Sequence, residues 1–340
     1  MIERSVDDRA PSQPAPVDQP GAGPLRGRRA TPRSHAVAER MIAGAALLTV
    51  LLVVLVLAFV LREAAPLVLD HEERRGADLA SLAVPRQWPG YERSEWVWQP
   101  VGEPAKFNAV PLLVGSLKIA GTAVSIATPT GVLAALALWQ LDSRRARRWI
   151  KPLVELLASV PSVVLGAWAL SVLATVVQSA LGLVWRLNAL TAAIALSLAV
   201  APLIFTVTDD ALAAVPRETI EGAVALGARR YQVALRVLVP AALPGIAAAA
   251  TLGLGRAIGE TMIVLMVSGN SPVLRPLDPT TSARTVTATI ASELGEVVQG
   301  SVHWRVLFLL GALLFILTLV LNALAAASTR ALSRRLRGDA

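Results

Sequence analysis

The chain alternates between polar segments and long apolar runs. Apolar residues fill Met41 to Leu61, Leu153 to Val177 with only Glu155 intervening, Leu187 to Thr208, and Val306 to Ala327. Two further runs carry charge: Val110 to Leu138 contains Lys118, and Val237 to Val267 contains Arg256 and Glu260. Each run reaches about 20 residues or more, and at about 1.5 Å per helical residue that length crosses a hydrocarbon layer of about 30 Å. The pattern predicts an all-α membrane protein with six transmembrane helices.

The polar segments set the remaining boundaries. Residues 1–40, rich in Pro, Arg, Gly and Ala and without apolar periodicity, bury too little surface to offset ordering entropy and predict a disordered tail. The run at 41–61 is too long for the apolar region of a cleaved signal and follows a long polar segment, so it reads as a first membrane anchor. Residues 62–109, with Trp88, Trp96 and Trp98, read as an external loop lying at the membrane interface. A core follows over 110–328, and 329–340 form a second tail.

Composition agrees: 54% of the residues are apolar, 16% are charged and only 4% are aromatic. There is no Cys, which removes disulfides, thiolate metal sites and thiol catalysis, and His35, His71 and His303 show no ligand spacing. No metal or cofactor is expected. The net charge of +8 raises nucleic acid as a partner, but the basic residues follow a membrane instead. Loops on the side of the termini hold 20 Lys and Arg and the opposite loops hold 10, Lys118 and Arg256 lying inside runs. The asymmetry places both termini in the cytoplasm, and Arg144, Arg145, Arg147, Arg148 and Lys151 anchor that orientation at the membrane lipid. No nucleic-acid role follows.

Enzyme signatures are missing. None of Lys106, Lys118 and Lys151 follows a Gly, so no phosphate-cradling Walker loop exists, and neither a Gly-x-Ser-x-Gly elbow nor a His-Glu-x-x-His helix occurs. Transport is favoured over catalysis.

One loop, 216–240, carries the most information: Glu221-Gly-Ala-Val-Ala-Leu-Gly227-Ala-Arg-Arg-Tyr-Gln-Val-Ala-Leu-Arg-Val237-Leu-Val-Pro240. Pro216 initiates a short helix with Glu218 and Glu221 near its start, Gly227 permits a reversal, and Arg229 and Arg230 open a second short helix. The loop resembles the coupling (EAA) loop of ABC importer permeases, with Gly222, Val237 and Val239 replacing the usual Ala, Ile and Leu at unchanged spacing. That resemblance implies a helix-turn-helix knob docking onto a cytoplasmic ATPase, with Glu221, Ala223 and Gly227 at the matching positions and Arg229 and Arg230 beside them. A DNA-binding helix-turn-helix is the structural rival, but this loop is tethered by membrane runs at both ends.

Three further segments narrow the resemblance to phosphate-importer permeases of the PstC type: Val110-Pro-Leu-Leu-Val-Gly-Ser-Leu117, Lys151-Pro-Leu-Val-Glu-Leu-Leu-Ala-Ser-Val-Pro-Ser162, and Gly255-Arg-Ala-Ile-Gly-Glu-Thr-Met262 followed by Ser268-Gly-Asn270. It implies a PstA-like second permease, a cytoplasmic ATPase dimer that hydrolyses the ATP, and an external phosphate-binding protein. An ABC permease for another oxyanion such as sulfate or molybdate, and the PstA-like role, are the nearest alternatives. A non-transporting membrane scaffold or sensor is the alternative of a different class.

Within the fifth run, Arg256 falls near the midplane, where a charge costs about 2.5–3.5 kcal/mol on insertion scales. Arg256 and Glu260, four residues apart on a continuous helix, share a face that Asn270 rejoins if the helix extends so far. The stripe reads either as an internal ion pair that fixes packing or as an anion pathway, and the resemblance implies the pathway. Gly255 and Gly259 read as close packing against a neighbouring helix, ahead of a direct substrate contact. Lys118 reads as a snorkelling side chain or an attractor of an incoming anion. Pro129, Pro161 and Pro202 fit breaks in runs two, three and four, or ordinary irregularity of membrane helices.

Overall fold

The computed structural model describes residues 32–70, 79–88, 91–141, 144–272 and 274–337. Contacts divide the chain after Leu55 into two units. The first is described only as the beginning of helix α1, Pro32–Leu69, where Met41, Leu47, Leu51 and Leu55 stand exposed, as lipid-facing residues do. Pro is tolerated in a first turn, so Pro32 starts the helix well before the apolar run, and the helix ends at Leu69 rather than Leu61. Residues 32–40 therefore leave the predicted tail, and 62–69 leave the predicted external loop. The rest of that tail, residues 1–31, lies outside the described residues.

The second unit begins at Val56 and holds the remaining elements. Helix α2 (Leu79–Ala83) and a small antiparallel pair, β1 (Arg86–Gln87) with β2 (Ser94–Glu95), precede the main bundle. The bundle consists of α3 (Val110–Leu141), α4 (Arg144–Ala158), α5 (Ser162–Leu181), α6 (Ala189–Ala213), α7 (Arg217–Ala225), α8 (Arg230–Gly259), α9 (Met262–Val267), α10 (Val286–Glu293) and α11 (Val302–Arg337). Six segments among the described residues are long and apolar enough to cross a membrane: Glu39–Leu69, α3, α5, α6, α8 and Val302–Ala327 of α11.

Alanines set the bundle spacing. Ala120, Ala123 and Ala127 of α3 and Ala192, Ala195 and Ala199 of α6 are buried in one cluster, and side chains this small let backbones approach where lipid supplies no hydrophobic drive. Gly115 carries the closest approach: a β-carbon there would overlap the Arg284 carbonyl, and the neighbouring Ser116 hydroxyl accepts from Val286 N at 3.1 Å. The Val-Gly-Ser of the first quoted motif thus seats the segment that opens α10.

Three expectations are corrected. The third crossing begins at Ser162, not Leu153. Pro161 lacks an N–H and its ring disfavours helical geometry at Val160, so residues 153–158 close the separate helix α4, whose Trp149, Leu153 and Leu156 are exposed while Ile150 and Val154 pack inward. Pro129 and Pro202 do not break α3 and α6; both helices run through them. The second helix of the predicted knob does not end either: it passes through one π-helical turn, Ala234–Leu238, into the fifth crossing.

Candidate functional site

The fifth crossing is interrupted within its polar stripe. α8 ends at Gly259, Glu260 is extended with ψ 132°, and the chain restarts as α9 at Met262. The expected helical pairing of Arg256 with Glu260 is therefore absent. The Glu260 carboxylate turns to the restart, where Oε1 accepts from Thr261 N and Met262 N, both at 3.1 Å, and its carbonyl accepts from the Thr287 hydroxyl at 3.0 Å. Arg256 is exposed in the last turn of α8, where the helix dipole favours a cation, and has no ion pair or hydrogen bond among the described residues.

Asn270 does not extend the stripe. It adopts φ 52° just after Gly269 at φ 83°, and its Nδ2 donates to Leu265 O at 2.5 Å, closing α9. Of the two glycines only Gly255 packs within the chain, where a β-carbon would lie 3.4 Å from Asn322 Oδ1 of α11, while one at Gly259 would meet nothing within 4 Å. The face bearing Arg256 and Gly259 is thus open.

At the end where α8 starts, α7 and the first turns of α8 form the knob. Pro216 precedes the first turn and Glu218 lies within it. Gly227 at φ 83° reverses the chain with open space around it, while Gly227 N donates to Val224 O at 2.9 Å and Ala228 N to Ala223 O at 3.1 Å. That left-handed conformation costs a side-chain-bearing residue about 1–2 kcal/mol, which accounts for Gly at this position. Arg229 N donates to Gln232 Oε1 at 2.8 Å, and Arg230 Nη1 donates to Gln140 O at 3.2 Å, fixing the knob to the end of α3. Glu221 and Arg229 are exposed, and Ala223 is half-buried.

An ion network behind the knob escaped the sequence reading. Asp209, its side chain only 2% exposed, accepts from Arg147 Nη2 at 2.5 Å and Lys151 Nζ at 3.1 Å, and Lys151 also reaches Asp210 at 3.3 Å. Partial burial pulls the Lys151 ammonium down, but the hydrogen bonds and charges of Asp209 and Asp210 outweigh it and hold its pKa above the ordinary value. Two residues read as orientation anchors thus also clamp α4 to α6; the signal was an adjacent acidic pair ending an apolar run.

At the opposite end Lys118 neither snorkels freely nor waits for an anion. Its ammonium donates to the carbonyls of Arg275 and Asp278, each at 3.1 Å, and to the Thr281 hydroxyl at 3.4 Å, gathering the α9–α10 connection over α3. Within that connection the hydroxyl and backbone N–H of Thr280 hold the Asp278 carboxyl below its usual range. Nearby, Glu293 accepts from Arg284 at 2.6 Å and Trp98 Nε1 at 3.1 Å and pairs with His303 at 2.8 Å, while Trp98 and Phe107 meet edge to face. Trp98 is therefore buried in a core that joins the segment before α3 to α10 and α11.

A bundle of membrane-length helices, with an exposed guanidinium at a helix break and a fixed knob at one end, describes a multi-pass membrane protein. Residues 127–338 match the family described as binding-protein-dependent transport system inner membrane component, and the chain belongs to that family. It is 34% identical over 221 residues to the probable ABC transporter permease protein YqgH of Bacillus subtilis, covering 65% of this chain and 71% of that protein. It is also 34% identical over 247 residues to the phosphate transport system permease protein PstC of Mesorhizobium japonicum, covering 67% of this chain and 74% of the relative. The solved bacterial alginate ABC transporter, in complex with an alginate pentasaccharide-bound periplasmic protein, shares the fold: TM-score 0.57 at 17% identity over 88% of this chain and 98% of that one.

Proposed function

We propose that this chain is a permease subunit of an ATP-driven phosphate importer, supplying part of the translocation path and coupling it to a separate ATPase. The observation that carries the reading is Arg256: a permanent cation in the last turn of a membrane-length helix, exposed, without an ion pair or hydrogen bond among the described residues, and beside a break in the crossing. Phosphate is an anion, and a guanidinium offers it a planar fork of donors. Glu260, committed to the start of α9, repels the anion locally without neutralising Arg256 and so keeps it from binding too tightly to leave. Asn270 fixes the far end of α9 and thereby the shape of the break.

The open face around Gly259 suits a PstA-like second permease that completes the path. The knob, with Glu221, Ala223, Gly227, Arg229 and Arg230, is the element that meets a cytoplasmic ATPase dimer, while an external phosphate-binding protein delivers the anion at the opposite end. Both termini are cytoplasmic on the basic-residue asymmetry of 20 to 10. The choice of phosphate is supported by the relatives named for phosphate transport.

The test is reconstitution in liposomes. The chain alone should hydrolyse no ATP, and the assembled importer should take up labelled phosphate when ATP and loaded binding protein are supplied. Uptake of sulfate or molybdate in place of phosphate would refute the anion assignment; ATP turnover by the isolated chain would refute the subunit role.

A further inference from the structure

A cavity of about 650 Å³ lies behind the knob, walled by the adjoining ends of α3 and α6, by α4, by α7 and by the first turn of α8. Leu138, Leu212, Val215 and Val233 are buried and make one side apolar. Arg147, Arg217 and Arg230 line the same space with Glu221, Arg147 being paired with Asp209 and Arg230 donating to Gln140 O, so that Arg217 is the least committed of the three. The α7 contribution, Arg217, Ile220, Glu221 and Val224, follows helical spacing, so one whole face of the helix turns toward the cavity.

The charges are unevenly satisfied. Arg147 gives Nη2 to the buried Asp209, which ties it to α6, and its side chain remains 46% exposed with further N–H donors to offer. Arg217 has no hydrogen bond or ion pair among the described residues, not even with Glu221 one turn on. Cations gathered in a half-enclosed, half-apolar space attract an anion more strongly than the same cations in water. Arg147 on α4 and Arg217 on α7 approach that anion from opposite elements. The volume lies within the roughly 300–1,000 Å³ of small-ligand sites.

We propose that this cavity binds a phosphate-bearing anion, which bridges Arg217 of α7 to Arg147 of α4 and so fastens the knob to the bundle. The shared chemistry is a phosphate group, carried by a lipid headgroup or free as inorganic phosphate. This site stands apart from the translocation path but shares Glu221 and Arg230 with the ATPase-facing knob, and the inference depends on the transport reading only in giving α7 its coupling role. An occupied cavity stiffens α7, and an empty one lets it move.

The chain has no Cys, so Val224→Cys places a single reporter in this subunit at a cavity-lining residue that is 54% exposed in the chain alone. The assembled importer is held in maltoside micelles without ATP or binding protein, and maleimide labelling is read on this subunit alone. One arm adds phosphatidic acid to the micelles; the other adds inorganic phosphate, with chloride at matched ionic strength as the control. At a probe concentration about ten times its Kd, labelling should slow by about tenfold. With Arg217→Gln in the same background, binding should weaken by about tenfold or more, and the slowing should shrink to about twofold or less. Slowing by phosphatidic acid alone assigns the site to a headgroup, and slowing by phosphate alone assigns it to the free anion. Equal slowing by chloride, no slowing in either arm, or undiminished slowing with Arg217→Gln would overturn the proposal. Arg217 makes no hydrogen bond or ion pair among the described residues, so its variant should assemble normally, and phosphate uptake by the parent, measured separately, reports on the transport reading.

Discussion

Removing the charge of Asp209 and removing the charges of its two partners should have unequal costs. The carboxylate is 2% exposed, whereas Arg147 and Lys151 are 46% and 29% exposed. In Asp209→Asn the two cations lose charge-assisted contacts but rehydrate in place, so solvent screening reduces the loss to about 1–2 kcal/mol. In the double variant Arg147→Gln, Lys151→Gln the carboxylate stays buried without a cation, and the cost approaches the 3–5 kcal/mol typical of a broken buried pair, about 4 kcal/mol. Adding Asp209→Asn to that double variant should recover about 2 kcal/mol, because no buried charge then remains unpaired. The assay is reversible unfolding of the purified chain in mixed micelles, followed by helical circular dichroism. If Asp209→Asn proves as costly as the double variant, or the triple variant recovers nothing, desolvation of Asp209 is not what makes this clamp matter.

Other outcomes follow from the same structure. Gly227→Val forces a β-branched residue to φ 83° where nothing else is in contact; it should cost about 1–2 kcal/mol locally and abolish uptake while the bundle stays folded, as trypsin resistance and uptake together report. Gly115→Ala should lower the yield of folded chain through a cost of about 1–3 kcal/mol, because its new β-carbon meets the Arg284 carbonyl. The depressed Asp278 carboxyl stabilises the α9–α10 connection above the ordinary pKa of 3.8 and loses that contribution as pH falls through its lower folded value; protease cleavage there should rise in that acid window for the parent and lose this pH dependence in Asp278→Asn.

The six crossings were legible because an apolar run of membrane length has few other uses, and the knob was legible because Glu221, Gly227 and Pro240 keep a fixed spacing around a turn that needs Gly. The start of the third crossing was misread because Leu153 to Ala158 are as apolar as a crossing; only Pro161, and the inward and outward faces of α4, separate them from it. The break after Gly259 was missed because Gly-Glu-Thr contains no proline and is compatible with a helix; Glu260 capping α9 and bonding α10 through its carbonyl decides the matter, and the second of those contacts is long-range. Long-range pairing also explains Lys118, Asp209 and Glu293, whose partners lie far away in sequence or in another element. His303 was set aside for want of ligand spacing, yet its ring meets a carboxylate and two aromatic side chains.

The central claim is that Arg256 serves an anion path rather than packing, and it is tested most directly by phosphate uptake per assembled importer in liposomes for the parent, Arg256→Gln, Glu260→Gln and the double variant. Arg256 has no partner among the described residues to leave stranded, so Arg256→Gln should assemble like the parent and lose at least about tenfold in uptake, the charge-assisted contact being the one removed. The double variant should transport no better than Arg256→Gln alone, since the two side chains are not paired. Uptake by Arg256→Gln within about twofold of the parent, or its restoration in the double variant, would contradict the account.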